Sequence, residues 1–195
     1  MLRWVREHVR PRRLAVVAHS VGGQILPLAD EAPALDAVYL VAAQSGHWRQ
    51  WDGRHRWRIW LVFHLAVPAS VALLGRLPAR VLGGGEDLPG GVAREWARWV
   101  RDPRYVLSHR ADTAARFARM RMPMRQIGFT DDALAPPRTV DAPRGYYRNA
   151  RVEHRPVTPA EVGARSIGHF GFFRPRFADT LWPDARRFLD AHLRA

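Results

Sequence analysis

A short apolar strand that leads directly into a serine constrains the fold of this chain most strongly. Residues 14–24 read L-A-V-V-A-H-S-V-G-G-Q, with Ser20 directly after the apolar run. This layout predicts a nucleophile elbow, a strained strand-to-helix turn that exposes the serine hydroxyl and leaves room only for small residues at minus two and plus two. Ala18 and Gly22 occupy those positions, and Ala18 departs from the usual first glycine of G-x-S-x-G. Gly23 is expected to let the helix pack closely on the strand.

The elements on either side of the elbow predict an α/β fold with a mostly parallel sheet flanked by helices. Continuous apolar runs of strand length are typical of parallel strands that are covered on both faces. The predicted elements, in chain order, are a helix end at 1–9, a strand at 14–18, a helix from Ser20 to about Ala29, strands at 37–43, 124–130 and 151–157, and a helix within 177–193.

A long insertion separates the second and third predicted strands and is too long for a simple loop. We therefore expect an α/β core in residues 1–43 and 123–195, with a helical cap in residues 44–122. Within the cap, Ile59 to Leu74 form an apolar run of about 16 residues, short of the roughly 20 that span a bilayer. We expect a buried or substrate-facing helix there, without stable membrane insertion, and an interfacial membrane helix is the alternative.

The composition excludes several classes of function. The chain has no cysteine, so it forms neither disulfides nor thiolate metal sites, and its N-terminal residues lack the apolar core of a signal peptide. A cytoplasmic location is the prediction. The net charge of +13 comes from 31 basic residues that are all arginine and are spread along the chain, without a nucleic-acid-binding motif. We expect no nucleic-acid partner, and the histidine spacings predict neither a metal nor another cofactor.

Two downstream segments supply the groups that would activate a serine. Residues 127–137 place Asp131 and Asp132 just past the third strand, and His169 lies between glycines after the fourth. Catalytic loops of parallel sheets gather at these carboxyl ends, and an activated serine needs a base that is oriented by an acid. Each residue also has a structural interpretation: Ser20 as a helix N-cap, the aspartates as turn formers and His169 as a packing residue.

Three segments resemble the α/β-hydrolase superfamily over nearly the whole chain. They are A-H-S-V-G-G at 18–23, F-T-D-D-A-L-A-P-P at 129–137 and G-H-F-G-F-F at 168–173. More narrowly, they resemble bacterial predicted hydrolases of the serine aminopeptidase and monoacylglycerol lipase-like branch. The resemblance implies Ser20 as nucleophile, His169 as general base and acid, and the backbone N–H of Val21 as an oxyanion-hole donor. It implies Asp132 as the orienting acid, with Asp131 as the alternative.

The resemblance also carries expectations about activity. In the superfamily the elbow follows the fifth strand, so this chain would correspond to the C-terminal portion of the fold, without the earlier strands and the second oxyanion donor. We expect a serine hydrolase that acts on a small apolar ester through an acyl-enzyme, with activity reduced by the missing portion. An amide substrate, acyl transfer and a non-catalytic binding module are the alternatives, and the oligomeric state is left open.

Overall fold

The computed structural model describes residues 1–82 and 86–194. Its strands are β1 (Ala15–His19), β2 (Ala37–Val41), β3 (Arg76–Leu77), β4 (Leu88–Pro89), β5 (Met124–Phe129) and β6 (Val152–Val157). Its α-helices are α1 (Leu2–His8), α2 (Val21–Ile25), α3 (Gly53–Leu61), α4 (Val67–Leu74), α5 (Ala79–Leu82), α6 (Gly90–Arg101), α7 (Thr113–Ala118), α8 (Pro137–Asp141) and α9 (Trp182–Leu193). A π-helical segment, Val62–Ala66, joins α3 to α4.

The chain divides into two compact units, one of Met1–Gln44 with Asp112–Ala195 and one of Ser45–Ala111. The second unit ends earlier than the predicted insertion, which ran to residue 122. The difference arises because α7 belongs to the first unit, where the Arg116 side chain donates hydrogen bonds to the Leu28 carbonyl and to Asp30.

The first unit contains a four-stranded sheet of order β1-β2-β5-β6, in which every neighbouring pair is parallel. All five residues of β2 are buried, as expected for a central strand that is covered on both faces. The predicted parallel sheet flanked by helices is therefore confirmed. Among the described residues, β1 and β6 form its edges.

A partly buried polar network holds α9 against this sheet. The Tyr39 hydroxyl donates to Asp184 at 2.8 Å, and Arg125 donates to the same carboxylate at 3.0 Å. Arg125 also forms an ion pair with Glu153 at 2.7 Å, so β2, β5, β6 and α9 are linked by one set of contacts. Burial raises the pKa of Tyr39 far above its usual value, which keeps its hydroxyl a proton donor.

Prolines account for the largest differences between predicted and observed helix ends. The helix after the elbow ends at Ile25 rather than near Ala29, and a 3-10 turn that contains Pro27 follows it. Proline lacks the N–H that would continue an α-helix. The C-terminal helix begins at Trp182 with Pro183 in its first turn. Proline is tolerated there because N–H groups in the first turn make no hydrogen bond within the helix.

In the second unit, α3, the π-helical segment and α4 form one continuous helix, Gly53–Leu74, of 22 residues. Phe63, Val67 and Val71 form its buried face. Only 17% of its most apolar 18-residue window is buried, so this helix is largely exposed rather than buried, and a substrate-facing role for it stays a prediction. By length and composition the helix could cross a membrane, a property that core helices of soluble proteins can share. Trp99 of the second unit is buried, and half-buried Trp96 packs its ring against Phe63.

Candidate active site

Ser20 occupies the strained turn that the sequence predicts. It follows the last residue of β1 and precedes the first residue of α2, with φ 48° and ψ −124°. A positive φ is uncommon for a residue with a side chain and is often found where a functional group must be held in one orientation. The Ser20 amide donates to the Val41 carbonyl at 2.9 Å, which ties the turn to the end of β2.

The close approach of helix and sheet depends on Gly23 rather than on Gly22. A Cβ at Gly23 would lie 2.7 Å from the Ala43 Cβ and 3.1 Å from Leu40 Cδ2. A Cβ at Gly22 would meet no heavy atom within 4 Å among the described residues. The role predicted for Gly23 is thus confirmed, whereas the structure shows open space at Gly22, where the elbow pattern predicts crowding.

The histidine loop brings His169 to the serine. The His169 Nε2 lies 2.9 Å from the Ser20 Oγ, within hydrogen-bond distance. Gly168 has φ +67°, a conformation that favours glycine, and a Cβ at Gly171 would lie 2.7 Å from Ile167 Cγ2. The two glycines next to the histidine segment therefore permit a backbone path that larger residues would strain or block.

Asp132 orients the imidazole from the other side. Its Oδ2 lies 2.7 Å from the His169 Nδ1, and its Oδ1 accepts hydrogen bonds from the backbone N–H groups of Leu134 and Ala135, both at 2.9 Å. The Asp132 side chain is fully buried and that of His169 is 8% exposed. A proton on Nδ1 satisfies the carboxylate and leaves Nε2 free to accept the hydrogen of the Ser20 hydroxyl.

Asp131 has a different set of partners. Its carboxylate accepts the backbone N–H of Ile167 at 2.8 Å and that of Gly168 at 3.2 Å. It therefore fixes the loop that carries His169 and makes its contacts with backbone rather than with the ring. Of the two carboxylates that the sequence leaves as candidates, the structure brings Asp132 to the imidazole.

His19 adds a contact that the sequence does not reveal. Its Nε2 lies 2.9 Å from the His169 carbonyl oxygen, and its ring packs against those of Phe170 and Phe173. Burial lowers the pKa of His19, and the hydrogen bond to the His169 carbonyl opposes this lowering only in part, so the neutral ring donates from Nε2. The position of His19 next to Ser20 predicts that its side chain packs under the turn. Its contact with the loop of His169 could not be predicted, because the two segments are far apart in the sequence.

The backbone N–H of Val21, the predicted oxyanion donor, lies at the start of α2. The first N–H groups of a helix have no partner within it and can receive an anionic oxygen. Ser20, Asp132 and His169 follow the carboxyl ends of β1, β5 and β6 respectively, so all three lie at one edge of the parallel sheet. Among the described residues, no three histidine, aspartate or glutamate side chains form a group that could hold a metal ion.

No family model and no curated protein matches the sequence. Solved structures do match. The monoacylglycerol lipase of Paleococcus ferrophilus is 12% identical, with a TM-score of 0.57 over 98% of this chain and 73% of that one. Mouse alpha/beta hydrolase domain-containing protein 10 is 14% identical, with a TM-score of 0.52 over 97% and 67%.

A structure reported with carboxylesterases of Nitrososphaera gargenis is 15% identical, with a TM-score of 0.50 over 97% of this chain and 71% of that one. All three similarities extend over nearly the whole of this chain and over about two thirds to three quarters of the matched chains. Together with the parallel sheet and the order of its strands, they show that this chain has the α/β-hydrolase fold.

Proposed function

We propose that this protein is a serine hydrolase that cleaves carboxylic esters through an acyl-enzyme. The observation that carries the proposal is the continuous relay from Ser20 Oγ to His169 Nε2 at 2.9 Å and from His169 Nδ1 to Asp132 Oδ2 at 2.7 Å. A serine, a base and a buried acid in hydrogen-bond contact are the elements that nucleophilic acyl transfer requires.

The first half of the reaction forms the acyl-enzyme. The Ser20 Oγ attacks the ester carbonyl carbon while its proton passes to His169 Nε2. The negative oxygen of the tetrahedral intermediate accepts a hydrogen bond from the Val21 N–H. The intermediate then breaks its bond to the alcohol oxygen, which leaves with the proton from Nε2. Asp132 stabilises the imidazolium and holds the ring in the tautomer that accepts the serine proton.

The second half releases the acid. A water molecule gives a proton to His169 Nε2 and adds to the acyl carbon. The second tetrahedral intermediate breaks its bond to the Ser20 oxygen, which recovers the proton from Nε2. The second half yields a carboxylic acid and the starting enzyme, so over the whole cycle the ester and one water molecule give an alcohol and an acid.

The first unit also supports an apolar acyl or alkyl group in the substrate. Exposed apolar side chains lie next to each member of the relay: Val21 beside Ser20, Leu134 in the turn of Asp132, and Phe170 after His169. Apolar side chains around a few oriented polar groups are typical of small-molecule sites. Esters are favoured over amides because an alcohol leaves more readily than an amine, and a peptide or amide bond is the slower alternative.

A chain without cysteine suits a cytoplasmic location.

The proposal is tested with a series of p-nitrophenyl esters of increasing acyl length. We expect hydrolysis by the wild-type protein, faster with medium acyl chains than with acetate, and no hydrolysis above background by Ser20→Ala. Ser166→Ala is the matched control, because it removes an exposed hydroxyl from the histidine loop and should retain wild-type rates. Equal hydrolysis by wild-type protein and Ser20→Ala would contradict the assignment, and a folded protein inert to every ester would favour a non-catalytic binding module.

A further inference from the structure

The helix Gly53–Leu74 of the second unit presents an apolar surface to solvent. Its exposed residues include Leu61, Leu65 and Leu73, whose exposures are 51%, 55% and 82%. Together with exposed Ala69 they recur every four residues, and so lie along one side of the helix. We call these four residues the leucine stripe. The face made by Phe63, Val67 and Val71 is buried within the same unit, so the stripe is the second apolar face of one helix.

The N-terminal end of the same helix is basic and aromatic. Arg54 and Arg58 are exposed, and Trp57 between them is 61% exposed. Residues 53–74 contain no acidic residue. Tryptophan prefers the boundary between lipid headgroups and hydrocarbon, and arginine binds the phosphates of anionic lipids. The helix therefore carries, next to its apolar stripe, the basic and aromatic side chains that contact lipid headgroups at a membrane surface.

A groove beside the stripe adds further basic side chains. It has a volume of about 530 Å³ and is lined by Pro68, Val71 and Ala72 from α4 and by Arg94 and Arg101 from α6, among others. Ala72 is next to Leu73 of the stripe. The groove thus has an apolar floor and a rim on which three arginines (Arg94, Arg98 and Arg101) outnumber one glutamate (Glu95), so its net positive charge suits an anionic headgroup on an apolar chain.

We infer that the second unit docks on the surface of an anionic lipid bilayer through the leucine stripe, with Arg54, Trp57 and Arg58 at the headgroups. Docking parallel to the surface fits the helix better than spanning, because Phe63, Val67 and Val71 are already packed inside the unit. A second copy of the chain fits less well, because each copy carries a net charge of +13 and the stripe begins at a basic end.

Flotation of the full chain with vesicles tests this inference. We expect binding to phosphatidylcholine vesicles that contain phosphatidylglycerol, weak binding to phosphatidylcholine alone, and release by high salt. The Arg54→Gln/Arg58→Gln variant should bind anionic vesicles less tightly by about fivefold for each arginine removed. Arg148→Gln/Arg151→Gln, which removes two exposed arginines from the first unit, is the matched control and should bind like the wild type.

Leu65→Glu/Leu73→Glu tests the stripe itself and should lower binding to anionic vesicles at least tenfold. Val9→Glu places one such negative charge on an exposed residue of the first unit and should have little effect. Circular dichroism verifies that each variant is folded, and Leu65→Ser/Leu73→Ser replaces the acidic pair if it is not. Three results would overturn the inference: equal binding to both kinds of vesicle that resists salt and alkali, binding that the stripe variants leave unchanged, or a wild-type dimer that the stripe variants dissociate.

Discussion

The two adjacent aspartates offer the sharpest test of how the site is built, because the structure gives them different partners. In Asp132→Asn, the amide oxygen must still accept the N–H groups of Leu134 and Ala135, which the Asp132 Oδ1 accepts at 2.9 Å. The amide nitrogen then faces His169 Nδ1 and donates to it. The ring proton is forced onto Nε2, which can no longer accept the serine proton.

This change of tautomer determines how much kcat should fall in Asp132→Asn. An aspartate-to-asparagine change that forces the wrong tautomer in a Ser-His-Asp triad lowers kcat by about 10⁴-fold. Asp131→Asn retains one oxygen acceptor for the backbone of Ile167 and Gly168, so it loses at most about 1.5 to 3 kcal/mol of unfolding free energy. We expect its kcat to stay within about tenfold of the wild type, since the ring keeps its carboxylate.

Ester hydrolysis measures kcat of the two variants, and urea unfolding measures their unfolding free energy. The expected pattern is a large loss of kcat with a small loss of stability for Asp132→Asn, and the reverse for Asp131→Asn. Circular dichroism of each variant excludes a loss of fold as the cause. A loss of kcat in Asp131→Asn as large as that in Asp132→Asn, or wild-type kcat in Asp132→Asn, would show that the two carboxylates do not have these separate roles.

Three further predictions follow from the same contacts. Gly23→Val should cost about 1 to 3 kcal/mol of unfolding free energy by overpacking, whereas Gly22→Ala should cost none; denaturant unfolding compares them, and equal losses would contradict the steric account. His19→Phe removes the hydrogen bond to the His169 carbonyl but keeps an aromatic ring, so kcat should fall while KM changes little; unchanged kcat would show that the contact does not position the histidine. Burial lowers the pKa of His19 and His154, so the unfolded chain binds more protons, and the unfolding free energy should fall as the pH drops from 7 towards 5. Urea titrations between pH 7 and 5 measure how the unfolding free energy depends on pH. His154→Gln should make this dependence weaker, and a wild-type unfolding free energy that does not change with pH would contradict the prediction.

The sheet and the elbow were predictable because their signals are local. A continuous apolar run defines β2, and the ends of β2 and β5 differ from the predicted ones by at most two residues. The helix after Ser20 was predicted too long because the apolar pattern continues past Pro27, where the α-helical hydrogen bonds end. Local pattern therefore determined which elements form, and the backbone chemistry of single residues determined where they stop.

The details of the site depended on contacts that sequence order does not encode. Asp131 and Asp132 share one turn, and only the fold decides which carboxylate reaches His169 and which holds the loop backbone. The contact of His19 with the same loop joins residues far apart in the chain. Exposure of the leucine stripe was missed because the helix Gly53–Leu74 is apolar on more than one face, so periodicity does not show which face is covered.

Covalent labelling with a fluorophosphonate probe, followed by peptide mapping, is the decisive experiment for Ser20 as the nucleophile. We expect one adduct per chain on the peptide that contains Ser20, full labelling of Ser166→Ala, and slower labelling of Asp132→Asn. Ser20→Ala should take up no probe. An adduct on another residue, or unchanged labelling of folded Ser20→Ala, would contradict the assignment of Ser20 as the nucleophile.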